Sequence, residues 1–261
     1  MTKKIALDAG HGLRTLGKQT PDGIKEWVLN DKVRDKVVAL LKDYDVKFVF
    51  PDNDEGNVDE SLATRKNMYL KEDVDVVVSI HHNAFRGTWG NATGVEVWVD
   101  KNPTTQDMQL ANCIYGKMIA YTGLPGRGIR KENWYIINQN KIPAVLTEGG
   151  FMDGNNDYKV ITSDEGQTAY AKAIAEGLIE FLQLKKGSTE NNDTSSFTVK
   201  VDIGNLNIRK GPGTNYLKTG LVTGKGVFTI VEVKPGSGSK TGWGKLKSGT
   251  GWISLDYTKR I

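Results

Sequence analysis

The segment Lys185-Lys-Gly-Ser-Thr-Glu-Asn-Asn-Asp-Thr-Ser-Ser196 carries no large apolar side chain and no periodicity. Such a stretch cannot bury enough surface to hold a fixed shape. The chain must therefore fold as two bodies, residues 1–184 and 197–261, joined by a flexible linker over 185–196. Its 261 residues suffice for one medium and one small domain.

Before the linker, strand and helix patterns alternate. Lys4–Asp8 is a short apolar run that fits a buried strand. Residues 24–44 show apolar side chains at helical spacing, and Val46–Phe50 follows as a second strand. Ser61–Leu70 reads as helix, and Val74–Ile80 as a continuous β-branched strand buried on both faces. Gly94–Val99, Trp134–Asn138 and Ala144–Thr147 read as further strands, and Thr105–Thr122 and Glu165–Leu184 as helices. This order predicts an α/β domain, a mainly parallel twisted sheet flanked by helices, with its site at the carboxyl ends of the strands.

After the linker, short β-rich pieces alternate with turns such as Gly211-Pro-Gly213 and Pro235-Gly236. That pattern predicts a small all-β, SH3-like barrel. The net charge of +4 is divided unequally. Residues 197–261 hold 11 Lys/Arg against 3 Asp/Glu, and the rest of the chain is net acidic. A domain so basic is drawn to polyanions, among them nucleic acids and the teichoic acids of a Gram-positive wall.

No run of 18 apolar residues is present, so no membrane insertion is expected. The N-terminal residues lead directly into Ile5-Ala-Leu-Asp-Ala-Gly-His11, which lacks the form of a signal peptide. The expectation is residence in the cytoplasm until release, then action at the cell wall. Cys113 is the one cysteine and sits in an apolar helical stretch, so it reads as a core residue. Any metal site must use the three histidines, His11, His81 and His82, with carboxylates.

His11 follows the first strand, His81 follows Val74–Ile80, and Glu148 ends the apolar run Ala144-Val-Leu-Thr. Parallel strands would gather all three at one edge, and Glu26, early in the first long helix, should point to the same edge. Two imidazoles and a carboxylate form a common catalytic zinc set with an open coordination position. A carboxylate outside that set can carry the proton. His11, Glu26 and His81 fit as ligands, and Glu148 fits as acid/base. The spacing alone is a weak signal, since a histidine after a strand is more often a loop or core residue. Strand alternation allows only one of the pair His81-His82 to face a metal easily.

The segments Ile5-Ala-Leu-Asp-Ala-Gly-His-Gly12, Lys25-Glu-Trp-Val-Leu-Asn30, Ser79-Ile-His-His-Asn-Ala84 and Pro143-Ala-Val-Leu-Thr-Glu-Gly-Gly-Phe-Met-Asp153 occur in that order. Together they resemble the N-acetylmuramoyl-L-alanine amidase family of the "amidase 3" type, over residues 1–184. The resemblance implies hydrolysis of the amide between N-acetylmuramic acid and the L-alanine of the stem peptide. It implies one zinc ion held by His11, Glu26 and His81, with Glu148 catalytic and His82 packed behind. It also implies substrate-cleft roles for Arg65 and Asn83, Asn83 by bracing the loop after His81; for Arg65 a structural salt bridge is an equal alternative. Ala9 and Leu13 depart from the family's usual proline and glycine, which bears on loop shape and not on the ligands.

The segment Leu206-Asn-Ile-Arg-Lys-Gly-Pro-Gly-Thr-Asn-Tyr216, with Trp243, Gly251-Trp-Ile253 and Tyr257, resembles a bacterial SH3 (SH3b) domain. It implies binding of wall peptide or polymer, with Tyr216, Trp252 and Tyr257 as candidate groove residues. The bland alternative makes Trp243 or Trp252 a core residue. The combined expectation is a monomeric phage or prophage endolysin acting on Gram-positive peptidoglycan. A bacterial autolysin of the same chemistry and an inactive wall-binding protein are the alternatives. Neither a ligand nor Glu148 is missing, and no nucleic-acid recognition motif is present.

Overall fold

The computed structural model describes residues 2–53, 55–138, 141–186 and 196–261. The chain divides into two compact units, Met1–Gly187 and Ser188–Ile261. Most of the expected linker lies outside the described residues. Within it Lys186 bridges to Tyr44, so the first unit runs slightly past the expected boundary.

The first unit contains β1 (Lys3–Ala9), α1 (Glu26–Leu41), β2 (Val46–Val49), α2 (Leu62–Glu72), β3 (Val76–Asn83), β4 (Val95–Val99), α3 (Thr105–Thr122), β5 (Gly126–Lys131), β6 (Ala144–Phe151), α4 (Asp157–Ile161) and α5 (Asp164–Leu182). Six strands form one sheet in the order β2-β1-β3-β6-β4-β5. Every neighbouring pair is parallel except β4–β6, which is antiparallel.

The β-branched run in β3 divides its side chains between two faces, as period-two geometry requires. Val76, Val78 and Ile80 join Ile5, Leu7 and the valines of β4 in a core covered by α1, α3 and α5. Val77 turns to the other face and packs with Ala6, Leu146, Tyr69 of α2, and Ile136 and Ile137. The sheet is thus covered on both sides.

Two expectations are corrected here. Residues 134–138 form a turn, not a strand. Their apolar side chains, Ile136 and Ile137, are buried to cover the lower face of the sheet. The missing strand is β5, Gly-Arg-Gly-Ile-Arg-Lys, an edge strand that pairs with β4 alone. Edge strands carry charge readily, so its composition concealed it. The strand beginning at Ala144 also continues to Phe151, past Glu148.

The second unit is a seven-stranded antiparallel sheet, ordered β13-β7-β10-β11-β12-β8-β9. Its strands are β7 (Phe197–Val201), β8 (Asn207–Arg209), β9 (Lys218–Val222), β10 (Gly226–Lys234), β11 (Trp243–Leu246), β12 (Trp252–Ser254) and β13 (Thr258–Arg260). Val199, Val201, Leu206, Ile208, Ile230, Leu246 and Ile253 supply its own core.

One capping arrangement joins helix to sheet in the first unit. Thr104 Oγ1 accepts from Asp107 N (3.1 Å), and Asp107 Oδ2 accepts from Thr104 N (2.7 Å), closing a capping box at α3. Asp107 Oδ1 also accepts from Ala144 N (2.9 Å), at the start of β6. Thr104→Ala should cost about 1 kcal/mol. Asp107→Ala should cost about 2–3 kcal/mol, because it also leaves a buried N–H unpaired. Urea unfolding of the two variants measures this order, and equal losses would refute the link to β6.

Candidate metal centre and active site

His11 occupies the loop after β1 with φ 68°, in the left-handed region where a non-glycine residue needs outside support. Three successive carbonyls supply it. Arg65 Nη1 donates to Ala9 O (3.0 Å), Asn30 Nδ2 to Gly10 O (3.1 Å), and Arg65 Nη2 to His11 O (2.8 Å). The strand, α1 and α2 thereby fix one imidazole together.

Glu26 begins α1 and is 1% exposed. Its Oε1 lies 3.0 Å from His81 Nδ1 and accepts from His82 N (3.2 Å). Its Oε2 lies 3.3 Å from His11 Nε2 yet accepts no hydrogen bond from the described residues. Burial pushes this carboxyl's pKa up, but the two imidazoles outweigh it and hold the group below its ordinary range. The His11 and His81 rings meet edge to face at 4.8 Å between centroids. Gly10 has to be glycine for this packing, since a Cβ would stand 2.0 Å from His81 Cε1.

One donor atom each from His11, Glu26 and His81 lies within 4.8 Å of the others. Two imidazole nitrogens and a buried carboxylate oxygen fit a divalent cation of borderline softness. The unpartnered Glu26 Oε2 is what such an ion would satisfy.

Glu148 sits on β6 directly beside His81 in the β3–β6 register. It is 9% exposed, and its Oε2 has no partner among the described residues. Burial raises its pKa well above the carboxylate norm, and the negative charges of Glu26 and Glu96 add to this while Lys18 opposes them. Its neighbour on β4, Glu96, is held by Arg127 Nε (2.6 Å), Trp98 Nε1 (3.0 Å) and Asn83 Nδ2 (3.2 Å).

His82 points away from this cluster. Its Nδ1 lies 2.8 Å from Asn30 Oδ1, and its ring meets Tyr170 edge-on at 5.5 Å. Burial lowers its pKa to about 4, so it is neutral at pH 7. Nδ1–H then donates to Asn30, whose amide grips Gly10 O. His82 therefore supports the His11 loop from behind.

Arg65 lines a cavity of about 510 Å³ with His11, His81, Trp134 and Tyr135. Its guanidinium also binds Asp8 (2.6 Å), Asp59 (3.2 Å) and, through Nε, Glu60 O (3.0 Å). All five N–H donors are occupied, so Arg65 clamps the His11 loop while lining the cavity, the structural role that stood beside a substrate contact. Asn83 holds Glu96 and the N–H of Ala84 (2.9 Å) at the end of β3. In the second unit Tyr216 and Tyr257 are exposed, but Trp252 is 7% exposed. A ring so covered packs within the fold, the reading that stood beside a groove role.

Sequence reasoning gave no role to Gly10, Asn30 or Glu96. Asn30 had a signal, since it lies four residues after Glu26 and shares its helix face. Glu96 had none, because β4 brings it to Glu148 only through the antiparallel pairing.

A helix-flanked sheet with a His-Glu-His cluster and a buried carboxylate at its strand ends defines a candidate metal-dependent hydrolase. Residues 5–180 match the family model for N-acetylmuramoyl-L-alanine amidase, and the chain belongs to that family. It is 31% identical over 191 residues to the endolysin of Bacillus phage SPP1, covering 72% of this chain and 69% of that one. It is 30% identical over 200 residues to an uncharacterised cell wall amidase of Bacillus anthracis, over 70% of this chain. The match spans only 36% of that relative's length. The crystal structure of the amidase from Clostridium difficile 630 superposes with TM-score 0.64 at 28% identity, over 70% of this chain and 97% of that one. Among the described residues, no helix is long and apolar enough to cross a membrane.

His81→Ala should abolish binding of one equivalent of divalent metal. His82→Asn keeps all three donors and should retain the metal, with stability lowered by about 1–3 kcal/mol from a perturbed buried hydrogen bond. Metal content after dialysis and thermal unfolding report the two effects. Loss of metal from the His82 variant alone would reverse the assignment.

Proposed function

We propose that the chain is a zinc-dependent peptidoglycan amidase that cleaves between N-acetylmuramic acid and the L-alanine of the stem peptide. The observation that carries this reading is the convergence of His11, Glu26 and His81 beside Glu148, in a chain of the amidase family. Zinc bound by the three side chains would act as a Lewis acid toward the scissile carbonyl. Glu148 takes a proton from the attacking water as its oxygen joins the carbonyl carbon. It returns that proton to the L-alanine nitrogen as the C–N bond breaks. Glu148 lies beside His81 in the β3–β6 register, which places its carboxyl to take that proton and give it back. Arg65, Asn30 and His82 keep His11 in place throughout.

The basic second unit is read as the wall-binding module, of SH3b type, and the whole as a phage or prophage endolysin for Gram-positive walls. Its charge and the likeness to the phage SPP1 endolysin support this. Exposed Tyr257 stands with Arg209 and Trp243 at a cavity of about 330 Å³, a concave surface suited to a wall component.

Glu148→Gln should lower turnover by about 10²–10⁴-fold while zinc stays bound. The test is digestion of purified Gram-positive peptidoglycan with mass spectrometry of the products. Stem peptides with a free N-terminal alanine are expected, lost with chelator and restored by zinc. Cut glycan or cross-bridges, or full activity in the Glu148 variant, would refute the reading. A chain ending at Gly187 should cleave soluble muropeptides at an unchanged rate and bind whole walls more weakly, because tethering raises local concentration. Sedimentation with purified walls measures the second effect.

A further inference from the structure

A second cavity, of about 480 Å³, lies at the same strand ends and is unused by the chemistry above. Its walls come from the loop after β3, with Phe85, Arg86 and Trp89, and from Arg127, Phe151 and Asp153. The loop is firmly built. The buried carboxylate of Asp153 accepts from the backbone N–H of Phe85 (2.9 Å), Arg86 (2.7 Å) and Gly87 (2.8 Å). Gly90 N donates to Asp153 O, and Asn155 N to Gly90 O, both at 2.9 Å. This frame holds Phe85 at 66% and Trp89 at 46% exposure. Large apolar side chains fixed in water around a concavity mark a binding surface.

The protein's own side chains charge the two cavities differently. Asp153 is committed to backbone donors. Arg127 reaches Glu96 through Nε (2.6 Å) and lies over the Phe151 ring at 4.9 Å. The Arg86 guanidinium stacks on Phe85 at 5.0 Å and makes no ion pair among the described residues. The second cavity thus presents an available cation beside aromatic surface. The first is lined by the acidic residues Asp8, Asp59 and Glu60, and its Arg65 is fully engaged.

The two arms of the substrate differ in the same way. The sugar arm is uncharged while its lactyl carboxyl is tied up in the amide. A peptide arm that is not cross-linked through its C-terminus ends in a free carboxylate. We propose that the second cavity is the subsite for the peptide arm, with Arg86 pairing its carboxylate and Phe85 and Trp89 covering its aliphatic parts. This rests on the amidase reading above.

The probe is a synthetic tetrapeptide beginning with L-alanine, with its C-terminus either free or amidated. Titration is followed by NMR at the Trp89 indole N–H in the full chain. The free acid should shift that signal and bind about fivefold more tightly than the amide, as expected for a partly exposed ion pair. Arg86→Ala should abolish the difference between the two peptides and leave the affinity for the amide unchanged. Arg86→Lys should restore part of it. No binding, equal affinity of the free acid and amide for the wild type, an equal loss from both peptides in Arg86→Ala, or binding that leaves Trp89 unmoved would overturn the proposal. Cleavage of an intact muropeptide by the wild type is scored separately, so a failed subsite and a failed amidase reading remain distinct.

Discussion

The buried carboxylate of Glu26 organises the strand ends. A lone carboxylate at 1% exposure is costly, and only nearby positive or hydrogen-bonding groups make it tolerable. Here two imidazoles and the N–H of His82 converge on it, and each comes from a different demand of the sheet. His81 and His82 are consecutive on β3, so one side chain and one backbone N–H reach the same carboxylate. His11 arrives through a left-handed residue. The start of α1 is therefore placed by the charge it brings as much as by its apolar face.

That constraint explains why so many polar groups are buried around the site without themselves doing chemistry. Asp8 and Arg65 form a buried pair at 2.6 Å. Such a pair contributes little net stability, but removing one partner leaves an uncompensated charge. Its use here is geometric, since the same guanidinium reaches the carbonyls of Ala9 and His11. Asn30 and His82 complete the grip from the opposite side of the sheet. The loop carrying His11 is held from both faces, so the donor set is preorganised.

Much of this was legible in the sequence where local patterns and the site share a cause. The valine run of β3 and the apolar start of β6 announce buried parallel strands, and their ends locate His81 and Glu148. The pair His81-His82 was open on alternation alone; the structure sends His81 to Glu26 and His82 to Asn30. The antiparallel β4–β6 pairing was not legible, because strand polarity is set by the crossover and leaves no mark on composition. Glu96 was therefore hidden, and so was edge strand β5. The two readings of Arg65 stayed open in the sequence for a related reason. A cationic side chain near a cleft looks alike in sequence whether its donors are free or spent, and only the five bonds decide.

The same distinction bears on what the two cavities can recognise. Charge in a sequence is only an upper bound on charge available to a ligand. Arg65 and Asp153 both border cavities, and the hydrogen-bonding capacity of both is spent on partners within the protein. Arg86 and the carboxylates Asp59 and Glu60 dominate the respective surfaces once those groups are discounted, although Asp59 gives part of its charge to Arg65. A substrate with one neutral arm and one anionic arm would then be oriented by electrostatics before any hydrogen bond at the scissile amide forms. Orientation of that kind matters for an enzyme facing a polymer, because the repeating wall offers the same amide in many poses. On the proposed reading, the productive pose is the one that sets the lactyl carbonyl between the His-Glu-His donors and Glu148.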